Sequence, residues 1–145
     1  MIDKNGYIIA TTEIVPGNHH DVFDVRTTLK KLFADLKRCR LPYHGALFHA
    51  DSSFDTRTVR KMLWNYGVIP NIAENKRNRK SMKRGRKRHF NQTAYKNRFA
   101  IERTFAWIDK FRTLLIRFER KDVYWLGFHY LAFTLINLRH LLAKA

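Results

Sequence analysis

ALFHADSSFDTRTVRKMLWNYGVIPNIA, residues 46–73, decides the fold. ALFHA (46–50) is a short apolar run that predicts a buried strand, and it runs directly into Asp51. DTRTVRKMLWNY (55–66) predicts a helix, with Asp55 as its N-cap and Gly67 as its stop. VIPNIA (68–73) predicts a second buried strand. Upstream, Val22, Val25, Leu29, Leu32, Phe33 and Leu36 recur at helical spacing and predict a helix over 21–38, capped by Asn18 or Asp21. Before it, YIIATTEIV (7–15) is rich in β-branched residues and predicts a strand. DKNG (3–6) is a turn signal, so the chain is expected to begin at a hairpin turn without the strand that would precede it.

Downstream, nine of the fourteen residues from Lys76 to His89 are Lys or Arg. No apolar period survives there, which predicts a loop or a disordered arm. Two long helices are expected to close the chain, over 93–118 and 122–143. The order is strand, helix, strand, helix, strand, helix, helix, which implies a layered α/β domain with a partly parallel sheet.

A chain of 145 residues is the size of one domain, and 45% hydrophobic residues supply a core, which excludes a disordered protein. Lys and Arg number 29 against 12 Asp and Glu, for a net charge of +17. That balance points to a polyanionic partner, nucleic acid before any other. Cys39 is the single cysteine, which excludes a disulfide or a thiolate metal cluster within one copy. No basic segment followed by an apolar run marks a signal peptide at the N-terminus. The apolar run 123–138 has 16 residues, includes His129 and is followed by Arg139, whereas a spanning helix needs roughly 20. A buried helix is expected there, with Trp107, Trp125, Phe128, Tyr130 and Phe133 in the core rather than stacked on bases.

Among the acids, Asp51 is set apart by following a strand directly, because ligands in open α/β sheets bind outside the carboxyl ends of strands. Such a carboxylate could equally be satisfied by nearby backbone N–H groups. At roughly 100° per residue, Tyr95, Arg98, Glu102 and Asp109 share one stripe of the next helix. Ile101, Phe105, Ile108, Phe111 and Leu115 fall mostly on the other side, which is expected to be buried. Taken alone, the stripe reads as an Arg98–Glu102 pair at i, i+4. Two acids on a basic chain, however, are also what metal-dependent phosphodiester chemistry requires. HHD (19–21) is expected to start a helix rather than bind metal, and His49 is given no catalytic role.

Three motifs carry a family resemblance. HADSSFDT (49–56) resembles the segment around the second catalytic aspartate of bacterial insertion-sequence transposases of the DDE class, whose usual form is close to Ala-Asp-Lys-Gly-Tyr-Asp. YKNRFAIERTFAWIDKFR (95–112) resembles the signature around their catalytic glutamate, with Tyr95, Arg98 and Glu102 in register. PGNHHD (16–21) resembles a motif between the first and second acids. The basic residue expected after Glu102 is Lys110, one place late, with Asp109 in the expected position.

The resemblance implies a ribonuclease H-like fold, a mixed sheet flanked by helices and lacking its first strand. It implies a single incomplete catalytic domain over 1–145, the C-terminal part of a longer enzyme, with a basic loop at 74–92. Asp3 is not supported as the first acid, so this chain alone is expected to bind DNA but not to cleave it. Asp51 and Glu102 would be catalytic and hold Mg2+ or Mn2+, with Tyr95, Arg98 and Lys110 in support. Lys76, Arg77, Arg79, Lys80, Lys83, Arg84, Arg86, Lys87 and Arg88 would contact DNA, both element ends and target. The reaction implied is metal-dependent DNA cleavage and strand transfer in the bacterial cytoplasm at the nucleoid. A second copy of the chain or a missing N-terminal portion would be the other partner, and no membrane is expected. The alternatives are a non-catalytic basic nucleic-acid-binding protein and another ribonuclease H-like nuclease.

Overall fold

The computed structural model describes residues 1–12, 14–15, 18–20, 22–75 and 88–143. It is a mixed α/β structure that divides into two compact units, one made of 1–15 and 99–145, the other of 16–98.

In the second of these, helix α1 (Val25–Arg38) buries Leu29, Leu32, Phe33 and Leu36, the stripe its spacing predicts. It starts later than expected. Asp24 stands at its N-cap with φ 43° and makes no side-chain cap, so Asn18 does not cap the helix and HHD does not start it; Asp21 lies outside the described residues. Strand β1 (Leu47–Ala50) and strand β2 (Ile69–Ile72) pair in parallel, with Leu47 opposite Ile69 and Ala50 opposite Ile72. The crossover between them is helix α2 (Arg57–Asn65), which buries Val59 and Leu63 and packs on both α1 and β2. Phe33 stacks on Tyr66 at 4.3 Å between ring centroids. The parallel pair is therefore as expected, but β1 is half-buried along its length rather than buried.

Two expectations about α2 part ways. Gly67 does stop it, at φ +69°, a conformation that costs an L side chain roughly 1–2 kcal/mol. Asp55 does not cap it. A 3-10 turn (Ser52–Phe54) intervenes after β1, and the cap is Thr56, whose hydroxyl accepts from Val59 N–H at 3.2 Å. A one-turn 3-10 segment leaves no apolar period, so the cap falls one residue later than the pattern predicts.

In the other unit the DKNG turn forms as expected. Asp3 Oδ1 accepts from Asn5 N–H at 2.9 Å and Tyr7 N–H at 2.8 Å, and Gly6 takes φ +93°. The strand predicted over 7–15 does not form among the described residues, beyond one antiparallel bridge between Ile2 and Ile8. Ile8 spends its backbone groups on a helix instead: Ile8 N–H donates to Asn137 Oδ1 at 2.9 Å, and Asn137 Nδ2 donates to Ile8 C=O at 3.0 Å.

The helix expected over 93–118 is broken into α3 (Gln92–Tyr95), a 3-10 turn (Lys96–Arg98), α4 (Phe99–Ile108) and α5 (Arg112–Leu115). Its buried face is not the one predicted. Ala100 and Thr104 are buried, whereas Phe105 is 56% exposed. Helix α6 (Asp122–Leu142) has the expected extent and packs on α4 and α5. It buries only Ala132 and Ile136, and Phe128 and Tyr130 are exposed, so the expectation of a buried aromatic helix fails. Trp125 and Phe133 are half-buried. No described helix is long and apolar enough to cross a membrane.

Candidate active site

Asp51 sits at the C-terminal end of β1 and is exposed. Its Oδ1 accepts from Ser52 N–H and from Ser52 Oγ, the latter at 3.2 Å, so it caps the 3-10 turn. A carboxylate offers about four lone-pair sites, and two donors on one oxygen leave capacity for a ligand.

Tyr95 and Arg98 come to this strand end by an explicit route. The Tyr95 hydroxyl donates to the Ala50 carbonyl at 3.2 Å, one residue before Asp51. The Arg98 guanidinium lies over the Tyr95 ring, 5.6 Å from its centroid. Tyr95, singled out from the signature, is thus bonded to the residue that precedes the acid of a different motif, 45 residues away in sequence, and Arg98 is stacked on Tyr95.

The holding element is one that sequence reasoning missed. Asn71, on β2, is fully buried. Its Oδ1 accepts from Asn91 N–H at 2.7 Å, and its Nδ2 donates to Asn91 C=O at 2.9 Å. The same Nδ2 lies 3.0 Å from His49 Nδ1. Asn91 in turn caps α3, its Oδ1 accepting from Ala94 N–H at 2.9 Å. The segment that carries Tyr95 is therefore fastened to β2, the strand beside the one that ends at Asp51. Burial lowers the pKa of His49, against the raising effect of its hydrogen bond with Asn71. An Asn in the apolar run VIPNIA was the one available signal, because a buried polar side chain demands partners.

Glu102 lies in the first turn of α4 and is exposed; it belongs to the other compact unit, as does Lys110, exposed in the turn after α4. Of the basic residues expected to contact DNA, Lys76, Arg77, Arg79, Lys80, Lys83, Arg84, Arg86 and Lys87 lie outside the described residues. Arg88 is described, and its guanidinium pairs with Asp55.

Among the described residues, no group of three or more His, Cys, Asp or Glu side chains gathers as a metal cluster. The donor chemistry of Asp51 does suit a hard cation, which takes oxygen ligands and commonly only one or two protein carboxylates alongside phosphate.

The structure thus defines a mixed α/β protein that displays a carboxylate at a parallel strand's end, with the Tyr95 hydroxyl bonded to the last carbonyl of that strand. Residues 48–139, more than half of the chain, match the family model described as "Transposase DDE domain", and the chain belongs to that family. A protein described as "Putative transposase for insertion sequence element IS402", from Burkholderia cepacia, is 34% identical over 73 residues, which are 50% of this chain and 29% of that protein. The match spans less than a third of that relative's length. No solved structure matches the chain. The resemblance to bacterial insertion-sequence transposases of the DDE class is thereby borne out.

Proposed function

We propose that this chain carries two of the metal-holding acids of a DDE transposase with a ribonuclease H-like catalytic domain, Asp51 and Glu102. The observation that carries the reading is Asp51 itself, exposed at the end of β1 with the Tyr95 hydroxyl on the preceding carbonyl. In this reading the parent enzyme hydrolyses a DNA phosphodiester at the element end. Water attacks phosphorus, the bond to the 3′ oxygen breaks, and that oxygen leaves with a proton as a 3′ hydroxyl. The freed hydroxyl then loses its proton and attacks a phosphorus of target DNA; a new 3′–5′ phosphodiester forms as the bond to the target's 3′ oxygen breaks, and that oxygen leaves with a proton as a 3′ hydroxyl. A bound Mg2+ or Mn2+ would supply charge stabilisation to the attacked phosphate.

The chain's own residues divide the work. Asp51 and Glu102 provide hard oxygen donors. Tyr95 holds the strand end that presents Asp51, and Arg98, which lies over the Tyr95 ring, serves to meet phosphate. Lys110 supports the glutamate-bearing helix. The basic run beginning at Lys76 grips the DNA backbone without reading sequence. With two of the three acids assigned here, the isolated chain binds DNA and does not cleave it.

The test is a Mn2+ titration followed by NMR, with DNA nicking measured in parallel. Mn2+ is expected to broaden the amide resonances of Ser52 and Glu102, and Asp51→Asn and Glu102→Gln are each expected to abolish the broadening at their own position. Broadening that survives both substitutions, or none in the unmodified chain, would leave only a non-catalytic basic nucleic-acid-binding protein. Efficient Mg2+-dependent nicking by the chain would overturn the assignment of only two acids.

A further inference from the structure

Helix α6 carries two apolar stripes, and only one is buried. The buried one is marked by Ala132 and Ile136, on a helix that packs on α4 and α5. The other is Tyr124, Phe128, Leu131, Leu135, Leu138 and Leu142. Its members recur at intervals of four and three residues in strict alternation, a period of about 3.5. All six are exposed, from 40% at Phe128 to 72% at Leu142. No Lys, Arg, Asp or Glu stands between Val123 and Leu138, so most of the stripe is uncharged in a chain of net charge +17.

That period is the seam of a helix pair. Apolar positions spaced in this way stay in line when two helices wind on each other, whereas a helix laid on its own domain follows about 3.6 residues per turn. The stripe is also its own complement. A two-fold axis level with Phe133 sets Leu131 against Leu135, Phe128 against Leu138 and Tyr124 against Leu142. The aromatic end of one helix then meets the leucine end of the other, and the two helix dipoles oppose. Beside Leu138 lies a hollow of about 280 Å3, lined by Tyr7, Thr134, Asn137, Leu138 and Leu141, at the place where the Phe128 ring of a second copy arrives. At roughly 100 Å2 for each half-exposed large side chain, two such stripes remove about 1,200 Å2 from water, the lower bound for a specific interface.

We infer that α6 is a self-association surface, through which two copies of this chain pair as antiparallel helices with two-fold symmetry. A second copy supplies the matching period, the facing leucines and the hollow together. The inference goes beyond the DNA chemistry and stands whether or not the chain holds a metal.

The experiment is sedimentation of the full chain over a concentration series at rising salt. Salt screens the repulsion between two chains of +17 and strips nucleic acid that could bridge them. A monomer–dimer equilibrium in the micromolar range is expected, tightening as salt rises. Leu131→Glu and Leu135→Glu, at the centre of the stripe, are each expected to weaken it by at least about thirtyfold. Trp64→Glu, on α2 and also exposed, is expected to leave it unchanged. A chain that stays monomeric to about a hundred micromolar would overturn the inference and leave the stripe to another occupant. A dimer that survives both glutamates would overturn it too, as would an association that loosens with salt. Orientation is read from single cysteines with Cys39→Ser in the background, since Cys39 is exposed. Under an added oxidant, Phe128→Cys and Leu138→Cys chains are expected to link to each other and not to themselves, because like positions lie about 15 Å apart along an antiparallel pair, beyond disulfide reach. Linking of each to itself alone would overturn the antiparallel arrangement. Should the glutamate variants fail to fold, the cysteine pair carries the test, because it puts no charge on the helix.

Discussion

Asn71 shows how much one buried amide can organise. Its carbonyl oxygen and amide nitrogen satisfy both backbone groups of Asn91, and Asn91 then starts the turn that bears Tyr95. Replacing Asn71 with Ala leaves the Asn91 N–H short of a partner, at roughly 1–3 kcal/mol if water cannot reach it, while the Asn91 carbonyl keeps the Tyr95 N–H at 3.0 Å. Asn71→Leu should be no better, since apolar volume does not meet an orphaned N–H. Denaturant unfolding is the measurement, and a loss below about 0.5 kcal/mol would mean that solvent replaces the amide. At this scale Asp51 was legible, because a carboxylate placed directly after an apolar run can be located from pattern alone. Asp55 was not. Its partners Arg60, Asn75 and Arg88 are brought to it by the crossover and by the approach of distant backbone, and nothing in local spacing announces that.

Elements formed where their period was unambiguous and broke where it was not. The stripe of α1 and the length of α6 followed from spacing. The run 92–115 folds as four short pieces, and the small residues Ala100 and Thr104 take the buried side while Phe105 faces solvent. Close helix packing prefers a small-residue face when the neighbouring helix approaches it, and that neighbour is chosen by tertiary structure. The β1–α2–β2 region also carries part of the pH dependence. His49 has its folded pKa lowered from 6.5, so the unfolded chain takes up a proton that the fold resists. Its share of stability is present above pH 6.5 and is lost as pH falls through the lowered value. Asp55 has its side chain 6% exposed, but the Asn75 N–H, Arg60 and Arg88 outweigh that burial and lower its pKa from 3.8; its share is present above pH 3.8 and disappears as pH falls through the folded value. The Met1 amine, whose pKa burial lowers from 8.0 to about 6, adds its own share as pH falls through that range. Melting temperature should therefore decline with falling pH in stages, and His49→Gln should remove the His49 share alone.

The whole molecule is governed by charge. With a net charge of +17, the proposed binding to DNA should be dominated by counterion release and carry little sequence preference. Six or more phosphate contacts would cost about a thousandfold in affinity between 50 and 200 mM salt. Anisotropy with two duplexes of unrelated sequence checks this, and a salt-insensitive affinity or a strong preference for one duplex would contradict it. Composition, net charge, the order of the central elements and the family motifs were all determined by the sequence, because they depend on residue type and on periods within one segment. The gathering of Tyr95, Arg98 and Asn91 around the β1–β2 strand ends, the burial of Asp55 and the exposure of most of α6 were decided only by tertiary structure. Each depends on which distant segment supplies the neighbouring surface, and a polar group's cost or a side chain's burial is defined by that neighbour.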